Sequence, residues 1–268
     1  MSFANPRETN RHNERAWDAL ARQQVPLAKP ASDADFADPL RTVDQLGWLG
    51  PSIANWRVLC LAAGGGRHSA LYAAAGAVVT VVDLSGEMLA LDRQVAAERG
   101  LEVKTVQASM DSLPMLAEGQ FDLVIQPVST CYAPEVGPVF REVAWVTRPG
   151  GLYVSQHKSP VSLQTDVRPE GEFYCLREPY YRSGPLPAAE PCRLREPGTQ
   201  EFLHRWEELV GGICRAGFVI EDLVEPMHAK PSAEMGTFGH RAQFVAPYVR
   251  VKARRVENGK PASILRVE

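Results

Sequence analysis

The chain has 268 residues, 45% of them hydrophobic and 23% charged, and a formal net charge of -3. That length suits one sizeable α/β domain, and the composition is that of an ordinary globular protein. No long basic run marks a nucleic-acid or anionic-membrane surface, and no apolar stretch approaches the length of a membrane span.

Residues 5–15 are polar and do not read as a signal peptide. The pattern predicts a helix over 11–24 with Trp17 and Leu20 on one side, a Pro- and Ala-rich loop over 28–36, and a short helix over 43–48. No core strand is visible in 1–56, so this part is expected to be a helical cap over one edge or the mouth of a sheet. Trp17 then packs there or lies over a ligand. Residues 58–66 (VLCLAAGGG) read as a short buried strand ending in three glycines. An Ala-rich helix over 69–76 and a β-branched strand over 78–83 complete one right-handed βαβ unit, with Asp83 at its far end.

Ser85 is a good N-cap for a helix that carries Met88, Leu91 and Val95 up to Gly100. Strands follow over 101–107, 121–125 and 152–157, with a loop over 109–118 and a helix over 134–147. Residues 158–198 are rich in proline and aromatics and read as an ordered insertion with a short hairpin. Thr199 is expected to cap an amphipathic helix whose stripe is Phe202, Trp206, Leu209, Val210, Ile213 and Cys214, with His204 exposed off the stripe. A strand over 218–224, a loop over 226–239, a last strand over 244–256 and a tail over 257–268 close the chain.

The βαβ unit has a chemical use. Glycines 64–66 lack a Cβ, so a ligand can approach the amides at the helix start. Asp83 can accept from two adjacent ribose hydroxyls, and hydrogen bonds to a charged acceptor contribute about 1.5–3 kcal/mol each. A nucleoside site is therefore expected. A dinucleotide turn would carry Gly-x-Gly-x-x-Gly, and Ser69 stands at its last position, although the spacing to Asp83 would still fit NAD. The five cysteines are odd in number and have no CxxC spacing, so a reduced cytoplasmic protein without a metal site is expected.

Element order and motifs together resemble a class I S-adenosylmethionine-dependent methyltransferase. The segment 58–66 resembles the family's first motif, Asp83 its ribose acid, 107–114 (QASMDSLP) its adenine loop, and 121–124 and 148–151 its fourth-strand and closing segments. The resemblance implies a doubly wound, mostly parallel seven-stranded Rossmann-like sheet over 57–256, helices on both faces and an antiparallel last strand. It implies S-adenosylmethionine as methyl donor, held by Ala62, Ala63, Gly64, Gly65, Gly66, Asp83, Leu84, Met88, Ser109, Met110, Asp111 and Gln126. Two positions depart from the pattern. Cys60 replaces an acid that helps hold the donor's ammonium, a task expected to fall to backbone carbonyls near Ala62 and Gln126. Ser109 replaces the acid that reads adenine, with Asp111 as a substitute.

Methyl transfer from a sulfonium needs mainly positioning and exclusion of water. A base helps only a protonated acceptor, and His157, at the end of a strand on the binding side, is the best candidate, against a plain hydrogen bond to a loop. Tyr132 lines the pocket or polarises the acceptor, and His68 touches the donor or faces solvent. Tyr180 and Tyr181 shape the acceptor pocket or pack the insertion. No Asp/Asn-Pro-Pro-Tyr segment follows the fourth strand, which argues against a nucleic-acid acceptor and for a small molecule. The competing readings are a non-catalytic donor-binding module and a nicotinamide-dependent oxidoreductase.

Overall fold

Alternating side chains along the apolar strands give the sheet two greasy faces, and each face collects its own helices. The computed structural model describes residues 5–188 and 192–257, except the side chain of Leu27. Seven strands run in order β3-β2-β1-β4-β5-β7-β6: β1 (Arg57–Leu61), β2 (Val78–Asp83), β3 (Val103–Gln107), β4 (Phe121–Gln126), β5 (Thr147–Lys158), β6 (Phe218–Val224) and β7 (Tyr248–Arg255). The first five are parallel, while β7 enters antiparallel between β5 and β6. The order reverses between β1 and β4, and that reversal opens a crevice at the carboxyl ends of the strands.

Leu59, Leu61, Val124, Tyr153 and Val251 point to one face, under α6 (Val136–Val146) and α8 (Trp206–Arg215). Val58, Cys60, Val81, Leu123 and Ile125 point to the other, under α4 (His68–Ala74) and α5 (Gly86–Arg99). Ser85 caps α5 by accepting from Met88 N, and Gly100 ends it in the left-handed conformation. The expected seven-stranded architecture with its antiparallel last strand is the one observed. The last strand is shorter than predicted, because residues 244–247 turn before β7 begins.

Several local expectations are corrected. The N-terminal helix α1 is longer, Pro6–Arg22, since Asn5 caps it and a proline opens it. The predicted loop over 28–36 contains a short helix, α2 (Asp33–Phe36), boxed by Ser32 and Asp35. The next helix, α3, lies at Pro39–Val43 rather than 43–48, opened by Asp38 and a proline. Thr199 caps no helix: residues 199–205 have no regular structure and α8 starts at Trp206, where the Glu208 carboxylate reaches back to accept from Arg205 N at 2.8 Å. Phe202 is buried ahead of that helix and donates its backbone N–H to Cys131 O at 2.7 Å. His204 is buried, not exposed, with Nε2 between the carbonyls of Thr130 and Ala133 at 3.1 and 3.0 Å.

The insertion holds a helix, α7 (Pro160–Gln164), and single bridges pairing Thr165 with Leu176 and Glu170 with Phe173, in place of a full hairpin. Buried Arg241, in α9 (Phe238–Arg241), donates to the carbonyls of Ser162, Thr165 and Asp166 and pins the insertion to the loop before β7. Beyond Glu257 the expected tail lies outside the described residues. No described helix is long and apolar enough to cross a membrane.

The two helices on the first face meet closely at Gly212, where an added Cβ would sit 2.9 Å from the buried Phe140 ring. Gly212→Ala gains helix propensity but must displace a packed ring, and overpacking of this kind costs about 1–3 kcal/mol. A lowered Tm in thermal unfolding is the expected outcome, and an unchanged or raised Tm would show that the ring yields.

Candidate functional site

The crevice is a cavity of about 580 Å³ lined by Ala62, Ala63, Gly64, Asp83, Leu84, Met88, Ser109 and Met110 at one end. Tyr132, Arg193, Glu196, His228, Tyr248 and Arg250 line the other, and Asn10, Asn13 and Trp17 of α1 contribute to its wall. Of the predicted donor residues, Gly65, Gly66, Asp111 and Gln126 are not in this lining.

At the first end Gly64 N donates to Asp83 Oδ2 at 2.9 Å, and Ser85 N donates to Asp83 Oδ1 at 2.9 Å. A Cβ on Gly64 would lie 2.8 Å from Met88 Cβ and 3.0 Å from Asp83 Oδ2, so only glycine fits. Burial pushes the Asp83 carboxyl up, against the amides of Ser85, Gly64 and Leu84, which favour its charged form.

Gly65 and Gly66 serve the loop itself. Their amides donate to the two carboxylate oxygens of Asp92 on α5 at 3.0 and 3.1 Å, and Ser69 Oγ donates to the same group. Asp92 is fully buried, and burial raises its carboxyl to about 6 despite these three donors. Ser69, which broke the dinucleotide pattern, therefore ties the helix start to Asp92. Sequence reasoning missed Asp92 because it lies mid-helix, where an acid ordinarily reads as a solvated face.

Gln126 is also inward. Its Oε1 accepts from Tyr153 OH at 2.6 Å, and its Nε2 donates to Ser129 Oγ at 3.0 Å. Ser109 Oγ accepts from Asn10 Nδ2 at 3.0 Å, so α1 reaches into the predicted adenine loop. Further bonds fasten α1 over the mouth: Ser85 Oγ to Asp18 at 2.6 Å, Arg22 to Glu87 at 2.8 Å, and Asn13 Nδ2 to Tyr132 O at 3.1 Å. Trp17 meets the Tyr132 ring edge-on at 5.5 Å and packs near Met88, so it is at once packing and wall.

His157 is not placed as a base. Side chains alternate along β5, so Gln156 faces the cavity and His157 faces the opposite layer, 6.1 Å from the Phe140 ring centroid. Its Nδ1 pairs with Thr130 Oγ1 at 2.9 Å and its Nε2 with Ser155 Oγ at 2.8 Å, and burial drives its pKa down to about 3. His68 does line the cavity, neutral, with a pKa lowered to about 4 by burial and by Arg67 and Arg250. Tyr180 and Tyr181 meet edge to face outside the cavity lining, with Tyr180 OH accepting from Trp206 N. Cys131 is buried, its thiol pushed up by burial, and is no nucleophile.

At the far end Tyr132 OH donates to Glu196, and Lys158 Nζ bridges Glu196 at 2.9 Å and Glu201 at 3.1 Å. Burial and the neighbouring carboxylates hold the Tyr132 phenol well above its ordinary value. No motif announced Glu196, Arg193, His228, Tyr248 or Arg250. They come from the insertion, the loop after β6 and the start of β7.

A family model described as a methyltransferase domain matches residues 59–155. The uncharacterized methyltransferase YbaJ of Bacillus subtilis is 32% identical over 229 residues, which cover 80% of this chain and 89% of that protein. The chain belongs to the class I S-adenosylmethionine-dependent methyltransferases. An S-adenosylmethionine dependent methyltransferase from Mesorhizobium loti shares the fold with a TM-score of 0.64 at 23% identity, over 82% of this chain and all of that one. Geranyl diphosphate C-methyltransferase from Streptomyces coelicolor, solved with S-adenosyl-L-homocysteine, does so with a TM-score of 0.60 at 16% identity, over 95% of this chain and all of that one. This methyltransferase is thus an enzyme with S-adenosylmethionine as its donor, and the nicotinamide and non-catalytic readings fall away.

Two outcomes are expected. Asp92→Asn leaves the amides of Gly65 and Gly66 and the Ser69 hydroxyl with one acceptor oxygen among them, so donor affinity falls about 10-fold or more in calorimetry although residue 92 does not line the cavity. An unchanged affinity would separate Asp92 from the loop's shape. His157 stays neutral in the folded chain while the unfolded chain protonates below about 6.5. Its contribution is complete above that pH and is lost as pH falls toward 3, by up to about 1.4 kcal/mol per pH unit. His157→Asn should therefore flatten the decline of Tm between pH 7 and 5, and parallel curves for variant and wild type would refute a buried neutral imidazole.

Proposed function

We propose that the enzyme transfers the methyl group to a small-molecule acceptor held at the Tyr132 end of the cavity. The observation that carries this is the single cavity itself: about 580 Å³ runs from Gly64 and Asp83 to Tyr132 and Glu196 under α1. That volume suits a nucleoside donor beside a small ligand.

The residues fit the donor. Gly64, where a Cβ would collide with Met88 and Asp83, keeps the backbone close against the cavity, and its amide orients the Asp83 carboxylate beside it. Asp83 would take the ribose hydroxyls, Leu84 and Met88 would flank the sugar, and Ser109 and Met110 would border the adenine. Ala62 and Ala63 would face the methionine part. When bound, the donor supplies a methyl on a sulfonium, already activated toward a nucleophile. The chain's part is to fix the acceptor in line and keep water out, and the helix α1 serves the second purpose.

Where the acceptor atom carries a proton, Tyr132 and Glu196 would receive it. The Tyr132 hydroxyl gives its own hydrogen to Glu196, which leaves the phenol oxygen free to accept one from the acceptor. Lys158 pairs with Glu196 at 2.9 Å beside that hydroxyl and fixes the carboxylate in place. Free cysteines at all five positions fit a reducing, cytoplasmic setting.

Release of S-adenosylhomocysteine, measured against panels of small metabolites, proteins and RNA, tests this function. Turnover is expected with small compounds alone, and turnover confined to a macromolecular panel would overturn it. With an active compound in hand, Tyr132→Phe should lower kcat about 100-fold with donor affinity unchanged. Full activity would remove the tyrosine from the proton path.

A further inference from the structure

The acceptor end of the cavity carries more positive charge than its own carboxylates balance. Glu196 is committed to Lys158 and Tyr132. Glu201 lies behind it with Lys158 and Arg195. Those four charges form two pairs. Arg193 and Arg250 also line the cavity, and among the described residues neither has a carboxylate partner. Arg250 is paired across the ladder with Gln156 and spends only its Nε, on Gln156 Oε1 at 2.7 Å. Arg193 lays its guanidinium over the Phe238 ring at 4.6 Å, which orients it without using its N–H donors.

Between them stands His228, its ring 5.4 Å from Phe238 and 5.5 Å from Tyr248. Its Nε2 is shut off from solvent and has no hydrogen-bond partner. Both guanidiniums act on this imidazole and, with burial, hold it neutral. A buried polar nitrogen without a partner is unfavourable, and so is the half-buried guanidinium of Arg250 without a carboxylate, while Arg193 is exposed and free to turn its N–H donors to a ligand. One ligand feature meets these groups together: an oxyanion that takes N–H donors from Arg193 and Arg250 beside the neutral imidazole.

We propose that the methyl acceptor bears a carboxylate or phosphate group, and that Arg193, His228 and Arg250 form its subsite. This rests on the small-acceptor reading above. Guanidinium forks match both groups, and such anchoring would fix the acceptor's far end while its reacting atom faces the donor and Tyr132. The paired charges at Lys158 and Glu196 then separate anchoring from proton handling.

The probes are benzoate, its neutral isostere benzamide, and inorganic phosphate, each titrated by calorimetry into the full chain saturated with S-adenosylhomocysteine. Binding of benzoate without benzamide assigns a carboxylate, and binding of phosphate assigns a phosphate group. Either should weaken at least 10-fold in Arg250→Gln and, independently, in Arg193→Gln, while affinity for S-adenosylhomocysteine stays within 2-fold. The proposal is overturned if neither anion binds the saturated protein, or if benzamide binds as well as benzoate. Anion affinity unchanged in both variants also overturns it. Loss of S-adenosylhomocysteine affinity in Arg250→Gln would overturn it in a different way, by giving that guanidinium to the donor's own carboxylate. Failure of S-adenosylhomocysteine to bind the wild-type chain would instead strike the donor assignment on which the subsite depends.

Discussion

The amide of Gly64 and the carboxylate of Asp83 meet at 2.9 Å, and the rest of the molecule is arranged so that they can. Their meeting needs β1 and β2 side by side in a register that pairs Leu61 with Val82, which brings the ends of both strands to one edge of the sheet. It also needs a loop that turns sharply without exposing its other amides to nothing. Asp92 supplies that condition from below, taking the amides of Gly65 and Gly66 and the hydroxyl of Ser69. The three glycines thus divide their work: one faces the cavity and two face the protein. Cys60, which stands where the family usually has an acid, is wholly buried in the sheet layer, its thiol held neutral by burial.

A cavity between strand ends would be open to water without a cover. The helix α1 provides one, held by polar bonds from Asn10 to Ser109, Asn13 to Tyr132 and Ser85 to Asp18, and by the packing of Ala21 and Trp17 near Met88. Such bonds break individually at modest cost, since each contributes about 0.5–1.5 kcal/mol net.

The parts of the structure with a regular period could be read from the chain. Strands β1 to β5 and α4 to α6 follow from β-branched runs, Ser85 and the glycine turn, and the crevice follows from their order. The donor end of the site came with them, because its residues sit at strand termini within one βαβ unit. The acceptor end did not. Arg193, His228 and Arg250 are far apart in sequence, and only the return of β7 beside β5 and the insertion's fold bring them to one wall. His157 was misplaced by one step of a period-two pattern, which sends Gln156 to the cavity and His157 to the core. His204 looked like a surface residue because the helix was started too early, and its burial depends on two carbonyls more than seventy residues away.

The grip of Asp83 on the donor's ribose is the claim on which the other assignments stand. Calorimetry with S-adenosylhomocysteine and its 2′,3′-dideoxy analogue, on wild type and Asp83→Ala, measures it as a coupling between one carboxylate and two hydroxyls. Loss of the hydroxyls is expected to weaken binding to wild type about 100-fold and to change binding to the variant little. An equal loss in both proteins would contradict it, because the hydroxyls would then be held by something other than Asp83.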